Sequence, residues 1–447
     1  MSSEWPMQDL GSLIFYRKGF AFKSKDYISS GVPIVRVSNF TDDGISPNDL
    51  KFVSPDVAKE TPEVSLQVND IVVATVGSWP NNPASVVGRT IRVPAWAESA
   101  LMNQNSVIIR AKSKSLVDQK FIYYQMRSQD FSAHVVSKAQ GSANQASITL
   151  DAIFSYRLFW PKVDHRDAIV TFLSHLDDRI ALLHETNATL EAIAQALFKS
   201  WFVDFDPVHA RARGEQPAGL SPEVAALFPD GFEESALGVV PKGWRASTLG
   251  ECCGYLNRGL SPKYLEDGGV IVINQKCIRD FAVDLSKARR HDKAQRKIDG
   301  RELRVGDVLV NSTGVGTLGR VAQVLALPEV AIVDSHVTVI RTGPAISWPY
   351  LGQLLMRMQP AIEAMGEGTT GQTELSRGKL ARLGILVPTA SVLQEFDDAV
   401  TPLKQRIAAN SEQAQTLATL RDTLLPRLIS GQLRLPDAET MVSGAQA

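Results

Sequence analysis

Residues 176–201 read LDDRIALLHETNATLEAIAQALFKSW, and residues 403–428 read LKQRIAANSEQAQTLATLRDTLLPRL. At an offset of 227, Leu176 meets Leu403, Arg179-Ile180-Ala181 meets Arg406-Ile407-Ala408, and Glu185 meets Glu412. Thr189, Leu190 and Leu197 then meet Thr416, Leu417 and Leu424. The register holds without a gap over residues 141–198, where Gly141 falls on Gly368, Gln145 on Gln372 and Pro161 on Pro388. Self-similarity at a fixed offset is the mark of a duplicated structural unit.

Each of these stretches reads as one long helix. In the first, Ile169, Leu173, Leu176, Ile180, Leu183, Asn187, Leu190, Ala194, Leu197 and Trp201 alternate steps of four and three, a heptad seam. The second seam is Phe396, Val400, Leu403, Ile407, Asn410, Ala414, Leu417, Arg421, Leu424 and Leu428. Asp164 is the candidate N-cap of the first helix, after Pro161, and Pro207 is its expected end. Ser391 with Gln394 forms a candidate capping box in the second, and Pro402 is expected to kink or restart it. Each helix would span roughly 50 Å at 1.5 Å per residue. Neither narrow seam can bury itself, and the economical partner is the other copy. A pseudo-twofold pairing is antiparallel and sets Leu197 against Val400, Trp201 against Phe396, Leu190 against Ile407 and Leu173 against Leu424. It also brings Asn187 to Asn410, and a polar pair within an apolar seam is a device for fixing register.

Working outward, the resemblance between the copies loosens. Asn69-Asp70-Ile71-Val72-Val73 resembles Gly306-Asp307-Val308-Leu309-Val310, and Ser106-Val107-Ile108-Ile109-Arg110 resembles Val337-Thr338-Val339-Ile340-Arg341. Leu10-Gly11 matches Leu249-Gly250, and Gly31-Val32-Pro33-Ile34-Val35 resembles Gly269-Val270-Ile271-Val272-Ile273. Short Val/Ile-rich runs broken by Gly, Pro, Asn and Asp predict strands over 32–37, 70–76, 106–109, 270–273, 308–310 and 336–340. A helix is expected over 119–127. The class is therefore α+β: two α/β domains separated by two long helices that form an antiparallel coiled coil. The expected boundaries are a first domain over 1–162 and a central segment over 163–240, with its helix over 165–203 and a linker. A second domain follows over 241–389 and a C-terminal helix and tail over 390–447.

Composition bounds the function. A chain of 447 residues with 44% hydrophobic and 21% charged residues suits a soluble multidomain protein. The start shows no basic-then-apolar leader and no 18-residue apolar run exists, so the expected location is cytoplasmic with no membrane partner. Cys252, Cys253 and Cys277 fit neither a disulfide framework nor a zinc spacing, and no metal site is expected. The net charge of −1 lacks the basic surplus common in nucleic-acid binders. The charge is local instead: Lys287, Arg289, Arg290, Lys293, Arg296, Lys297, Arg301 and Arg304 outnumber Asp292, Asp299 and Glu302. Two unlike domains at opposite ends of a rigid pair of helices would read two half-sites at a set spacing, and double-stranded DNA offers such a target.

The stretch Ala196-Leu197-Phe198-Lys199-Ser200-Trp201-Phe202-Val203-Asp204-Phe205-Asp206-Pro207-Val208 resembles the central region of type I restriction-modification specificity (S) subunits. The closing run Leu424 to Leu433 is similar to their C-terminal region, except that Leu428-Ile429 replaces the Trp-Phe pair. The likeness extends over nearly the whole chain in the order of its parts. It implies a non-catalytic DNA-binding subunit that reads an asymmetric bipartite site and joins two M (methyltransferase) subunits and two R (restriction/translocase) subunits. S-adenosylmethionine would sit on M, for adenine-N6 methylation, and ATP with magnesium on R, with no cofactor in this chain. Phe198, Trp201 and Phe202 are then candidates for contact with M or for closing the coiled coil.

No Asn/Asp-Pro-Pro-aromatic motif for a flipped adenine appears, which argues against a self-contained methyltransferase; Asn81-Asn82-Pro83 is a turn signal. The run Gly314-Val315-Gly316-Thr317-Leu318-Gly319-Arg320 lacks the Lys-Ser/Thr of a phosphate loop and suits a glycine-rich hairpin approaching DNA. A coiled-coil adaptor that never touches DNA is the alternative of another class. Base edges are read by Arg/Lys, Asn/Gln and Ser/Thr. Candidate DNA contacts in copy one are Arg17, Lys18, Ser78, Asn81, Asn82, Lys138 and Gln145. In copy two they are Arg258, Gln275, Lys276, Arg289, Arg290, Ser312, Thr313, Thr370 and Gln372.

Overall fold

In a computed structural model of the chain, the described residues are 5–41, 44–79, 86–142, 145–366 and 374–446. They form two compact units: Met1–Ala181 with Ala414–Ala447, and Leu182–Gln413. Each contains one sheet-rich domain and a stretch of both long helices, α1 (Val163–Phe202) and α2 (Ala390–Ile429).

In unit 1 the main sheet has four antiparallel strands in the order Ile14–Lys18, Ser106–Ala111, Ile71–Ala74, Thr90–Arg92. All four residues of Ile71–Ala74 are buried, which is why that run is apolar without alternation. A second sheet sets Val32–Val35 antiparallel to Lys51–Val53 and parallel to Leu101–Met102. The helix Leu116–Arg127 begins three residues earlier than the apolar pattern suggests, because Ser115 caps it by accepting from Asp118 N–H.

Unit 2 repeats the plan. Its main sheet runs Cys253–Arg258, Val337–Thr342, Val308–Asn311, Val321–Gln323, again antiparallel throughout. Its second sheet pairs Val270–Ile273 antiparallel with Arg289–His291 and parallel with Ala331–Val333. Glycine holds the same tight passage in both: a Cβ on Gly19 would lie 1.9 Å from Asn103 O, and one on Gly259 2.0 Å from Val333 O.

Both copies also bury the same ion pair. Arg110 Nε donates to Asp70 Oδ1 at 2.6 Å and its Nη2 reaches Ser65 O at 3.0 Å. Arg341 Nε donates to Asp307 Oδ1 at 2.6 Å and its Nη2 reaches Glu302 O at 2.9 Å. In each, the aspartate also accepts a turn N–H, from Gln67 or Arg304, at 2.8 Å. The carboxylate thus fixes the turn that launches the central strand to the arginine of its neighbour.

The helices pair antiparallel inside each unit. In unit 2, Asn410 Nδ2 donates to Asn187 Oδ1 at 2.9 Å, while Asn187 Nδ2 reaches Ile407 O at 3.2 Å and Ser411 Oγ at 3.0 Å. Buried Lys404 meets Glu191 at 2.6 Å, and Glu191 also accepts from Gln353 at 2.8 Å. Burial lowers the Lys404 pKa below the ordinary lysine value, against the pull of Glu191. In unit 1 the seam residue Arg421 is buried and holds Asp177 at 2.9 Å, and Asp177 also accepts from Tyr124 Oη at 2.7 Å.

Four expectations about the long helices are corrected. α2 is continuous across Pro402, which lies on an exposed face, so the carbonyl that loses its N–H partner can meet water. It begins at Ala390, which puts Ser391 inside the helix; Gln394 Nε2 donates to Asp398 Oδ1 instead of closing a capping box. α1 ends at Phe202, and Phe205 then takes a left-handed conformation (φ 54°). Pro207 therefore stands in the first turn of a following short helix, Asp206–Ala212. At the other end α1 begins at Val163, which makes Asp164 a first-turn acid. No helix among the described residues is long and apolar enough to cross a membrane.

Candidate nucleic-acid interface

The end of unit 1 where Ile14–Lys18 finishes carries exposed Arg17 and Lys18, on an edge strand that also shows Phe15 and Tyr16 to solvent. Beside it the hairpin Gln140–Ser142/Gln145–Ser147 pairs with Val76–Gly77 and presents Gln145, which is exposed. Trp79 anchors this hairpin by donating from Nε1 to Ser142 O at 2.7 Å. Ser78 is half-buried in the same connection. Lys138 is committed to Ser155 Oγ at 2.8 Å. Asn81 and Asn82 lie outside the described residues.

In unit 2 most of the described candidate residues are engaged within the domain. Gln275 Nε2 donates to Thr313 O at 2.6 Å and also touches Thr313 Oγ1, which lies 2.9 Å from His336 Nδ1. Arg258 Nη1 pairs with Glu374 at 2.5 Å and its Nη2 donates to Leu375 O at 2.8 Å. Arg290 meets Glu329 at 2.7 Å, and the Arg289 guanidinium sits 3.3 Å from the centre of the Tyr264 ring. Lys276 is exposed beside them. Ser312 is corrected: its Oγ, buried just past the strand Val308–Asn311, is committed to Thr338 Oγ1 at 2.5 Å and is spent inside the domain. Thr370 and Gln372 lie outside the described residues.

The basic run of unit 2 is partly spent internally, since Arg296 donates to Ser261 O and Arg301 to Arg258 O. The glycine loop 314–320 stands at the same end, with Val315 at its tip 80% exposed. Buried Asp334 accepts from His336 N at 2.9 Å, and burial raises its pKa above the usual carboxylate value.

Of the two expectations for the aromatic residues, closing the helix pair is the one their packing favours over contact with M. Phe198, Trp201 and Phe202 are buried in the core of unit 2, where Phe202 packs at 5.0 Å from both Tyr350 and Phe396 and Trp201 at 5.0 Å from Phe228. They close the helix pair onto the second domain and offer no surface to another chain. Among the described residues no group of three or more His, Cys, Asp or Glu could hold a metal ion.

Strand register makes the two ends comparable. Lys18 stands opposite Val107 as Arg258 stands opposite Thr338. Ser147 pairs with Val76 as Glu374 pairs with Thr313. Ile148 N donates to Thr75 O as Leu375 N donates to Ser312 O. One scaffold therefore presents different polar side chains at equivalent places. Sequence reasoning overlooked Ser106, Ser147 and Asp151, because nothing in their local spacing distinguishes them from ordinary strand and cap residues.

Comparison with known proteins agrees with this architecture. Residues 2–192 match the family model described as the type I restriction modification DNA specificity domain. The chain is 24% identical over 395 residues to the type I restriction enzyme HindI specificity subunit of Haemophilus influenzae, covering 77% of this chain and 84% of that one. It is 24% identical over 328 residues to the MjaIX specificity subunit of Methanocaldococcus jannaschii, covering 72% and 71%. Its fold is similar to a crystal structure of a type I restriction-modification S subunit from M. genitalium, with a TM-score of 0.53 at 16% identity and 96% of each chain covered. Residues 2–192 thus match a type I specificity domain, a repeat of the same plan follows it, and along most of its length the chain is similar to type I restriction enzyme specificity subunits.

Proposed function

We propose that the chain is the non-catalytic DNA-reading subunit of a type I complex, recognising an asymmetric bipartite site. It directs adenine-N6 methylation by two M subunits, which carry S-adenosylmethionine, and restriction by two R subunits, which carry ATP and magnesium. The observation that supports this most is the contrast between the copies: the Asp70–Arg110 and Asp307–Arg341 cores coincide, while the side chains at one end of each main sheet differ. Conserved scaffolding with divergent tips suits two readers of different half-sites. Loops positioned by a rigid frame are where such recognition is carried. The target adenine would be extruded into M, since chemistry on a base requires it out of the stack.

The test is a methylation map. This chain is expressed with its M subunit in a host lacking adenine methylation, and the DNA is sequenced for N6-methyladenine. An asymmetric bipartite motif that disappears when the chain is omitted is the expected result. Methylation that persists unchanged without it, or that never appears although M binds the chain, would overturn the reading in favour of an adaptor.

A further inference from the structure

Unit 1 holds a cleft of about 380 Å³ lined by Lys18, Gln104, Ser106, Ser147, Thr149 and Asp151. Ser106 begins a central strand of the main sheet and is 1% exposed, yet its Oγ has no hydrogen-bond partner among the described residues. A buried hydroxyl left unpaired is costly, and such groups in native proteins call for a partner. The cleft supplies the place for one.

Unit 2 carries different side chains at the same place. At the position of Lys18 stands Arg258, paired with Glu374 at the position of Ser147. The strand register puts buried, apolar Val337 where unit 1 has Ser106. The hydroxyl is absent there, although Asn311 Oδ1 opposite Val337 is itself buried without a partner, and an arginine–glutamate pair stands where unit 1 has Lys18 and Ser147.

The lining chooses among ligands. A phosphate would suit Lys18 and the hydroxyls but would be repelled by the Asp151 carboxylate. The edge of a base pair uses both: lysine donates to guanine O6 and N7, and a carboxylate accepts from cytosine N4–H. We propose that this cleft reads the major-groove edge of one G·C pair in the half-site bound by unit 1. Lys18 contacts the guanine, Asp151 accepts from the cytosine amino group, and Ser106 takes up a hydrogen bond from the bound edge or a water it holds. This rests on the DNA-reading function proposed above and adds the residues and the base pair.

The test uses the full chain with its M subunit and the same methylation map. The double variant Lys18→Arg/Ser147→Glu installs the unit 2 pair; Lys18→Gln and Ser106→Ala are milder single changes. The expected result is relaxation at one G·C position of one half-site, by about ten- to a hundredfold in preference, with the other half-site unchanged. The unchanged half-site also reports that the chain is folded. If the double variant yields no methylation, the two single variants decide. Retention of every base constraint by all folded variants overturns the proposal. So does a uniform loss of methylation across sequences with a shallower salt dependence, which signifies a phosphate contact. Either failure leaves the bipartite motif of the parent chain standing; loss of that motif in the parent would instead refute the DNA-reading function itself.

Discussion

Replacing Asp307 by Asn separates charge from shape at the heart of unit 2. The Asp307 side chain is fully buried and accepts from Arg341 Nε at 2.6 Å, Arg341 Nη2 at 2.7 Å and Arg304 N at 2.8 Å. Asparagine keeps the volume but turns one of the two oxygens facing the guanidinium into a donor or forces it away. Arg341, with 18% of its side chain exposed, is left as a poorly hydrated cation. Breaking a buried pair by neutralising one partner costs about 3–5 kcal/mol, and the near-complete burial puts Asp307→Asn towards the upper part of that range. Asp70→Asn breaks the equivalent pair in unit 1, but Arg110 is 33% exposed and water can recover part of its solvation. Its cost is expected to be smaller by about 1 kcal/mol, a difference set by hydration of the orphaned arginine. Denaturant unfolding, followed by hydrogen exchange at the strands Ile71–Ala74 and Val308–Asn311 to assign each transition to its unit, measures both. A loss under about 1 kcal/mol for Asp307→Asn, or a larger loss for Asp70→Asn, would refute the argument that burial sets the scale.

Three further outcomes follow from the helix seam and the thiols. Asn187→Ala leaves the buried Asn410 amide without its 2.9 Å acceptor and should cost about 1–3 kcal/mol, with a coupling of about 1 kcal/mol to Asn410→Ala in a double-mutant cycle; a coupling near zero would show that the pair does not hold register. Lys404 has its folded-state pKa depressed by burial, so just below the ordinary lysine pKa the unfolded chain binds more protons and unit 2 gains stability as pH rises; Lys404→Met should remove that rise in thermal melts taken across the alkaline range. Burial pushes the Cys253 thiol up to about 12 and the Cys277 thiol to about 11, so both should resist thiol reagents at pH 8 in the folded chain and react on unfolding; rapid titration of the native protein would contradict this.

Local pattern and symmetry alone carried a large part of this structure. The heptad steps in 169–201 and 396–428 set the helices, because a seam too narrow to bury itself demands a like partner. Pairing the two seams antiparallel about their midpoints then determined which residues meet, down to Asn187 against Asn410. The strands at 71–74 and 270–273 were legible because a strand buried on both faces is written as an unbroken apolar run, and those at 106–111, 308–311 and 337–342 because of their Val/Ile/Leu-rich stretches. Asp70 with Arg110 and Asp307 with Arg341 were visible as repeated letters, but not as pairs, since the partners are 40 and 34 residues apart and only sheet pairing joins them.

The site residues depended on tertiary structure for the same reason. A sequence shows that Arg258, Gln275, Ser312 and Thr313 are capable of hydrogen bonding, but not whether their donors are already taken. In unit 2 they are taken, by Glu374, Leu375, Thr338 and one another. Trp201 was legible as a seam residue facing Phe396, but for Phe198, Trp201 and Phe202 the sequence left partner contact and closure of the coiled coil both open, and only the packing of Tyr350, Phe228 and Phe396 against them makes them a core. Periodicity and symmetry act between near neighbours or between copies, so one chain suffices to read them. Which polar groups remain unspent depends on contacts between distant segments, and that only the folded sheet decides.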